Sequence, residues 1–240
     1  MEEIVLKPEI LGFFHQLPIT NTLLTSWLVM AVIIGISLAI RFKVNIFPSH
    51  LQSIFEVIID FMYTTAEQLA GDKKARVFFP FVATFFFFIL FSNLLGLLPG
   101  FATITFKGMP FLRSMNSDLN MTLSLALFSA FLTHFFALKY LGLIEYLKKW
   151  FTLNPIFLFV GLLELVGEAT KVVSLSFRLF GNIFAGEVVL STVSSIFAFL
   201  VPLPFYFLEI IVGFVQAAVF MMLTLVFMVL LSEKHAEAHS

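Results

Sequence analysis

The chain has 240 residues, of which 60% are hydrophobic and only 12% are charged, whereas soluble domains carry about 25% charged residues. The formal net charge of −1 gives no basic surface for nucleic acid, and the absence of cysteine excludes disulfides, thiolate metal sites and cysteine nucleophiles. Most of the chain is therefore expected to face lipid or other apolar helices in a single membrane domain.

The first half of the chain contains two predicted membrane spans and a predicted surface helix. Residues 1–20 are charged and lack the basic and apolar regions of a cleavable signal, so we expect no such signal there. The distribution of basic residues, described below, makes them an outer-side segment. Apolar runs at 23–40 and 77–98 are long enough to cross a bilayer. Between them, 49–70 has apolar residues at helical spacing with polar residues opposite, which predicts an amphipathic helix at the membrane surface that ends at Gly71.

The second half contains one more ordinary span and two long helices. The run at 119–138 predicts a span, with Asp118 as its N-cap. Residues 155–200 carry several charges, whereas 205–231 are almost uniformly apolar and 232–240 form a solvated tail. An unbroken helix over 155–200 would be about 70 Å long, more than twice the bilayer core, so this segment is either two spans or one strongly tilted helix.

The tilted helix is at least as good an interpretation, because no proline interrupts the segment between Pro155 and Pro202. The predicted fold class is therefore all-α. It is a polytopic membrane protein with three ordinary spans, one surface helix and a long tilted two-helix hairpin.

The distribution of basic residues predicts the orientation. With the amino terminus outside, nine Lys and Arg residues fall on the cytoplasmic side and three on the outer side. The cytoplasmic set is Arg41, Lys43, Lys73, Lys74, Arg76, Lys139, Lys148, Lys149 and Lys234, and the outer set is Lys7, Lys107 and Arg113. We therefore expect the amino terminus outside and the carboxyl terminus in the cytoplasm.

Polar residues form a stripe along the 155–200 segment. At steps of four, three, seven and four, five of them share one helical face: Glu164, Glu168, Lys171, Arg178 and Asn182. Glu187 lies nine residues after Arg178 and points about 180° away. On the last helix, Glu209 and Gln216 are seven residues apart and share a face.

Arg178 is the most unusual of these residues, because an arginine at the centre of a membrane helix costs about 2.5–3.5 kcal/mol on insertion scales. No acid lies three or four residues from it, so its partner must come from another part of this chain or from another subunit. An arginine stays charged and favours loss of the proton from a carboxylic acid that approaches it. It can therefore act as an electrostatic gate; the alternative is a charged network that fixes helix packing.

Four blocks of the sequence resemble one known family. The segment SLSFRLFGNIFAGE (Ser174–Glu187) closely resembles the signature of subunit a of the F-type ATP synthases. Three other blocks, Phe85–Gly100, Ser117–Leu127 and Gln216–Phe227, resemble further blocks of that family in the same order. The resemblance covers nearly everything from Phe78 onward.

This resemblance implies a stator subunit packed against a rotating ring of c subunits and held by b-type peripheral stalk subunits. Arg178 would occupy the family's essential arginine position, with Asn182 and Gln216 as polar groups beside it. Glu187 and Glu209 would line the half-channel that opens on the outer side. Glu209 stands where some relatives have histidine, so we expect the two acids to titrate as a coupled pair that shares a proton.

The resemblance also implies a cytoplasmic half-channel near Glu164, Glu168 and Lys171. Asn93 lies in an apolar span and either lines the outer channel or makes a hydrogen bond that packs helices. A lone histidine such as His134 is more often a packing or interfacial residue than a proton relay.

The expected function is proton translocation in the membrane sector of an ATP synthase, in the plasma (inner) membrane of a bacterium. The chain is expected to perform no bond chemistry and to bind no cofactor or metal, since nothing in it resembles a phosphate-binding loop. One alternative is a proton-coupled secondary transporter, although no convincing internal repeat is visible. Another is a structural membrane protein held together by a charged packing network.

Overall fold

The computed structural model describes residues 8–14, 17–42, 50–98, 105–106, 109–150, 155–196 and 200–233. In these ranges the main elements are α1 (Asn21–Phe42), α2 (His50–Gly96), α3 (Leu119–Leu141), α4 (Leu143–Trp150), α5 (Pro155–Ile196) and α6 (Pro202–Ser232). Two small antiparallel hairpins pair β1 (Ile10–Phe14) with β2 (Leu17–Thr20) and β3 (Thr105–Phe106) with β4 (Met109–Pro110). A 3-10 helix at Met115–Ser117 precedes α3.

Long apolar helices confirm the predicted fold class, an all-α polytopic membrane protein. Helices α1, α2, α3 and α6 are each long and apolar enough to cross a membrane. Helix α5 runs for 42 residues without an interruption, a length of about 63 Å and about twice that of a bilayer core. The chain therefore does not turn back within Pro155–Ile196, and residues 197–199 of the predicted 155–200 helix lie outside the described residues.

Helix α2 contains both the predicted surface helix and the second predicted span, joined at a bend. Gly71 has φ 73° and ψ 156°, a non-helical conformation inside an otherwise continuous helix. This backbone region is essentially restricted to glycine. The bend separates the amphipathic segment from the apolar one at the residue where the sequence predicts an end. The location of 50–70 at the membrane surface stays a prediction.

The core lies where α2, α3, α5 and α6 meet. Large side chains from these helices are fully or almost fully buried, among them Phe78, Phe86, Leu179, Phe220 and Met228. Pairs of buried hydroxyls also connect the helices: Ser129 Oγ and Thr224 Oγ1 are 2.8 Å apart, and Thr122 Oγ1 and Ser176 Oγ are 3.1 Å apart. Such hydrogen bonds and close packing hold helices together where lipid removes the hydrophobic driving force.

Asp118 joins the start of α3 to the start of α1. Its carboxylate accepts a hydrogen bond from the Asn120 backbone N–H at 2.9 Å, which confirms the predicted N-cap. Its other oxygen accepts from Thr22 Oγ1 at 3.1 Å. The buried carboxylate therefore fixes the 3-10 helix between α1 and α3 in a region that the sequence indicates only as a loop.

The sequence gives no sign of α4, an eight-residue helix that packs on the end of α3. Its buried Trp150 forms a small cluster with Ala137 and Leu231, and the partly buried Tyr146 packs against this cluster. The Glu145 and Lys148 side chains are exposed and paired with each other. A helix of two turns is too short for its periodicity to be distinguished from a loop.

The bend in α2 leads to a prediction about stability. Gly71→Ala places a side chain in a backbone region that costs an L-residue about 1–3 kcal/mol. We therefore expect a lower melting temperature for the detergent-solubilised protein. Gly35→Ala is the matched control, because Gly35 is helical and an added Cβ meets nothing within 4 Å. Equal melting temperatures for both variants would contradict the importance of the bend.

Candidate functional site

The candidate site lies along the contact between α5 and α6. Lys171 Nζ lies 4.7 Å from the ring centroid of Phe227, and Asn182 Nδ2 donates to Gln216 Oε1 at 2.9 Å. Gly186 lies directly against the carboxyl group of Glu209. Successive residues of α5 thus meet progressively earlier residues of α6, so the two helices run antiparallel and the polar stripe of α5 lies beside α6.

Arg178 lies at the edge of a groove between these helices. The groove has a volume of about 470 Å³ and is lined by both cationic and apolar side chains, including Lys171, Ser174, Leu223 and Phe227. The Arg178 side chain is exposed, and among the residues that the structure describes no acid forms a salt bridge with it. Its charge is therefore open to a partner beyond the described residues.

Asn182 and Gln216 form a polar pair between α5 and α6. Asn182 is one helical turn beyond the arginine and is exposed, whereas Gln216 is 3% exposed. Gln216 Nε2 is buried and makes no hydrogen bond within the described part of the chain. The pair therefore consists of a buried amide on α6, Gln216, and an exposed amide on α5, Asn182.

At the other end of the groove, Glu168 and Lys171 form an ion pair. Lys171 Nζ lies 2.6 Å from Glu168 Oε1, and both side chains are partly buried. A smaller cavity of about 20 Å³ adjoins them and is also lined by Ser129 and Thr133, a size and polarity that suit one water molecule. Glu164 lies one turn before Glu168 and is half-buried.

His134 adjoins this ion pair from α3. Its imidazole is partly buried and interacts electrostatically with Glu168 and Lys171, and its Nδ1 lies 3.0 Å from the Tyr146 hydroxyl. His134 therefore packs at the junction of α3 and α4, in agreement with the structural interpretation of a lone histidine. Burial raises the pKa of the Tyr146 phenol, so this hydroxyl stays protonated.

Glu209 lies against α5 at Gly186, the residue that precedes Glu187 in the chain. Glu209 is 8% exposed, and a Cβ at Gly186 would overlap its carboxyl group. Glu187 interacts with Glu209 and also faces Arg113, Ser114 and Ser117 from the segment around the 3-10 helix. Only a glycine at position 186 lets the Glu209 carboxyl approach α5 this closely.

Asn93 makes hydrogen bonds that pack helices, which is one of the two roles predicted for it from the sequence. Its Nδ2 donates to the Gly213 carbonyl at 3.0 Å, and its Oδ1 accepts from Asn116 Nδ2 at 2.6 Å. The side chain is 2% exposed. It connects α2, α6 and the 3-10 helix, and a role in an outer channel stays a prediction.

The structure therefore places three pairs of predicted site residues near each other. It also places further residues beside Glu187 that the sequence does not indicate. Arg178 and Lys171 share a groove, Asn182 pairs with Gln216, and Glu187 lies near Glu209. The additional residues around Glu187 are Arg113, Ser114, Ser117 and Gly186. Arg113 could be recognised only as an outer-side charge, because sequence spacing does not show that its loop folds against α5.

The chain matches known proteins over most of its length. Residues 23–229 match the model of the family described as ATP synthase A chain. The chain is 35% identical over 212 residues to ATP synthase subunit a of Legionella pneumophila (strain Paris), covering 88% of this chain and 86% of that protein. It is also 35% identical over 217 residues to ATP synthase subunit a of Moorella thermoacetica, covering 89% of this chain and 92% of that protein.

The two bonds of Asn93 predict a loss of stability on truncation. Asn93→Ala leaves the Asn116 amide and the Gly213 carbonyl buried with fewer partners, at a cost of about 1–3 kcal/mol. We expect a lower melting temperature of the detergent-solubilised protein. Asn120→Ala is the control, since this side chain is exposed on the first turn of α3. An unchanged melting temperature for Asn93→Ala would exclude a packing role.

Proposed function

The chain belongs to the ATP synthase A chain family, and from that premise we propose that it is a stator channel in which Arg178 is the gate between two offset half-channels. It is a multi-pass protein of the plasma membrane and a subunit of the membrane sector of an F-type ATP synthase, where it serves proton transport. Within that role, the proposed function of this chain is non-catalytic: it passes protons to and from a ring of c subunits.

The exposed position of Arg178 is the observation that carries this proposal. A guanidinium in a membrane helix needs an anionic or hydrogen-bonding partner, and the described part of the chain supplies no acid to it. The carboxylate of each passing c subunit would be such a partner. Because Arg178 stays charged, it would favour release of the proton from that carboxylate and prevent a direct passage of protons across the gate.

The outer half-channel is proposed to end at Glu187 and Glu209. Glu187 interacts electrostatically with Glu209, and two interacting carboxyl groups do not both ionise readily, so we propose that they share a proton. Such a pair can accept a proton from the outer side and pass it toward the ring. Asn182 and Gln216 lie between this pair and Arg178 along the helices and supply amide groups on the route.

The cytoplasmic half-channel is proposed to follow the groove from Arg178 past Lys171 toward Glu168 and Glu164. The groove and the adjoining small cavity provide space for water beside charged side chains. Water in this space would exchange protons between the c-ring carboxylate and the cytoplasm. This assignment goes with the proposed orientation, in which the amino terminus is outside and the carboxyl terminus is cytoplasmic.

Neither alternative function has a specific observation in its favour. A proton-coupled secondary transporter would be expected to bind substrate at broken helices near the bilayer midplane, whereas α5 passes through its polar stripe as a continuous helix. A charged packing network would require acids paired with Arg178.

The gate predicts a specific loss on removal of its charge. With Arg178→Ala, we expect ATP-driven proton pumping in membrane vesicles to fall to background while blotting shows that the complex remains assembled. Arg76→Ala is the matched control, because its pair with Asp72 is exposed and such pairs contribute little. Pumping that survives Arg178→Ala, or purification of the chain without a c-ring, would contradict the proposal.

The shared proton predicts a shift in pH dependence. With Glu209→Gln, Glu187 loses a neighbouring like charge and holds its proton less tightly. We therefore expect the profile of proton flux against outer-side pH to move toward acid pH. Glu233→Gln, at an exposed residue after α6, should leave the profile unchanged. A proton flux that is the same at every pH in Glu209→Gln would exclude a shared proton.

A further inference from the structure

We propose that Arg113 is a positioning residue for Glu187. It orients the Ser117 hydroxyl, which faces this carboxylate, and supplies the positive charge that sets how tightly the carboxylate holds a proton from the outer side. The inference rests on the proposed placement of Glu187 in the outer half-channel, and it assigns a role in proton entry to a loop residue far from the arginine gate in sequence.

A chain of hydrogen bonds links Arg113 to the serines. Its Nε donates to Ser117 Oγ at 3.2 Å, and Ser117 Oγ donates to the Ser114 carbonyl at 2.9 Å. Ser117 is completely buried and Ser114 is 6% exposed. The guanidinium and both serine side chains interact with Glu187, so the three residues form one polar wall opposite this acid.

The hydroxyl of Ser117 can donate its single proton to only one acceptor at a time. A hydroxyl has one proton to donate, and Arg113 occupies one of its acceptor positions. The proton can therefore point to the Ser114 carbonyl or, after rotation of the hydroxyl, to the Glu187 carboxylate, but not to both. Arg113 thereby holds Ser117 in the position from which it can donate to the ionised form of Glu187.

The backbone around Arg113 is anchored to α1. The Arg113 backbone N–H donates to Thr25 Oγ1 at 3.3 Å. Five residues later, Asp118 accepts from Thr22 Oγ1 at 3.1 Å. The segment between these two anchors contains both serines. The guanidinium therefore projects from a fixed support, as a positioning residue requires.

The charges around Glu187 define what Arg113 contributes. The groups that face Glu187 are Arg113, Ser114 and Ser117 from the segment before α3, and Glu209 from α6. Arg113 is thus the cation in a cluster with two acids. A nearby positive charge favours the ionised form of a carboxyl group, so its removal should make Glu187 bind its proton more tightly.

The test uses the assembled ATP synthase in inverted membrane vesicles. The rate of ATP synthesis is measured against luminal pH, which corresponds to the outer side, at a fixed electrical potential. For Arg113→Gln we expect the luminal proton concentration at half-maximal rate to fall by about tenfold, the lower end of the effect of one nearby opposite charge. Arg113→Lys keeps the charge and should remain near the original value, and Arg76→Gln is the matched control at an exposed arginine.

Two results would overturn the inference. The first is an unchanged half-maximal concentration in Arg113→Gln, and the second is an equal shift in Arg113→Lys, which would show that charge is not the cause. If Arg113→Gln does not assemble, Ser117→Ala decides instead: it should shift the value in the same direction by a smaller factor, and no shift would overturn the inference.

Glu187→Gln separates this inference from the proposed function. If Glu187→Gln loses synthesis or changes its dependence on luminal pH while Arg113→Gln does not, Glu187 is part of the channel and only the role of Arg113 fails. If Glu187→Gln behaves like the unmodified complex, the proposed outer half-channel fails, and the role of Arg113 fails with it.

Discussion

The close antiparallel contact between α5 and α6 is the constraint on which the rest of the structure depends. It brings Asn182 into hydrogen-bond contact with Gln216 and Lys171 into contact with the ring of Phe227. It also places the Glu209 carboxyl group directly against Gly186, which has no side chain. Polar groups in a membrane are stable only when neighbouring helices satisfy them. The two helices can therefore carry many polar residues, because each helix covers polar side chains of the other. The charge of Arg178 remains exposed at the surface of α5.

The 3-10 helix and its flanking residues complete this arrangement from a third direction. They bind α1 through Asp118 and Arg113, α2 and α6 through Asn116 and Asn93, and face α5 at Glu187. Almost every polar side chain in this region is buried, so each hydrogen bond has a low-dielectric setting in which it is strong and its loss is costly. A loop with such contacts is a structural part of the site and not a passive connection.

The long helices and the polar stripe could be predicted from the sequence because both depend on local spacing. Composition and length alone indicate the membrane helices, and steps of three and seven residues place Glu168, Lys171 and Arg178 on one helical face. The approach of Gly186 to Glu209 and of Arg113 to Glu187 could not be predicted, because these contacts join distant segments and depend on how helices cross. Helix α4 was missed for another reason, since eight residues are too few for a clear period.

The length of α5 has a geometric consequence for any path that uses both of its ends. A helix of about 63 Å that lies wholly within a core of about 30 Å must lean by about 60° from the membrane normal. Nine residues, the separation of Arg178 and Glu187, then correspond to about 6 Å of depth and about 12 Å of sideways displacement. In the proposed mechanism, a proton that enters near Glu187 and leaves on the Arg178 side would therefore be displaced more in the plane of the membrane than across the bilayer.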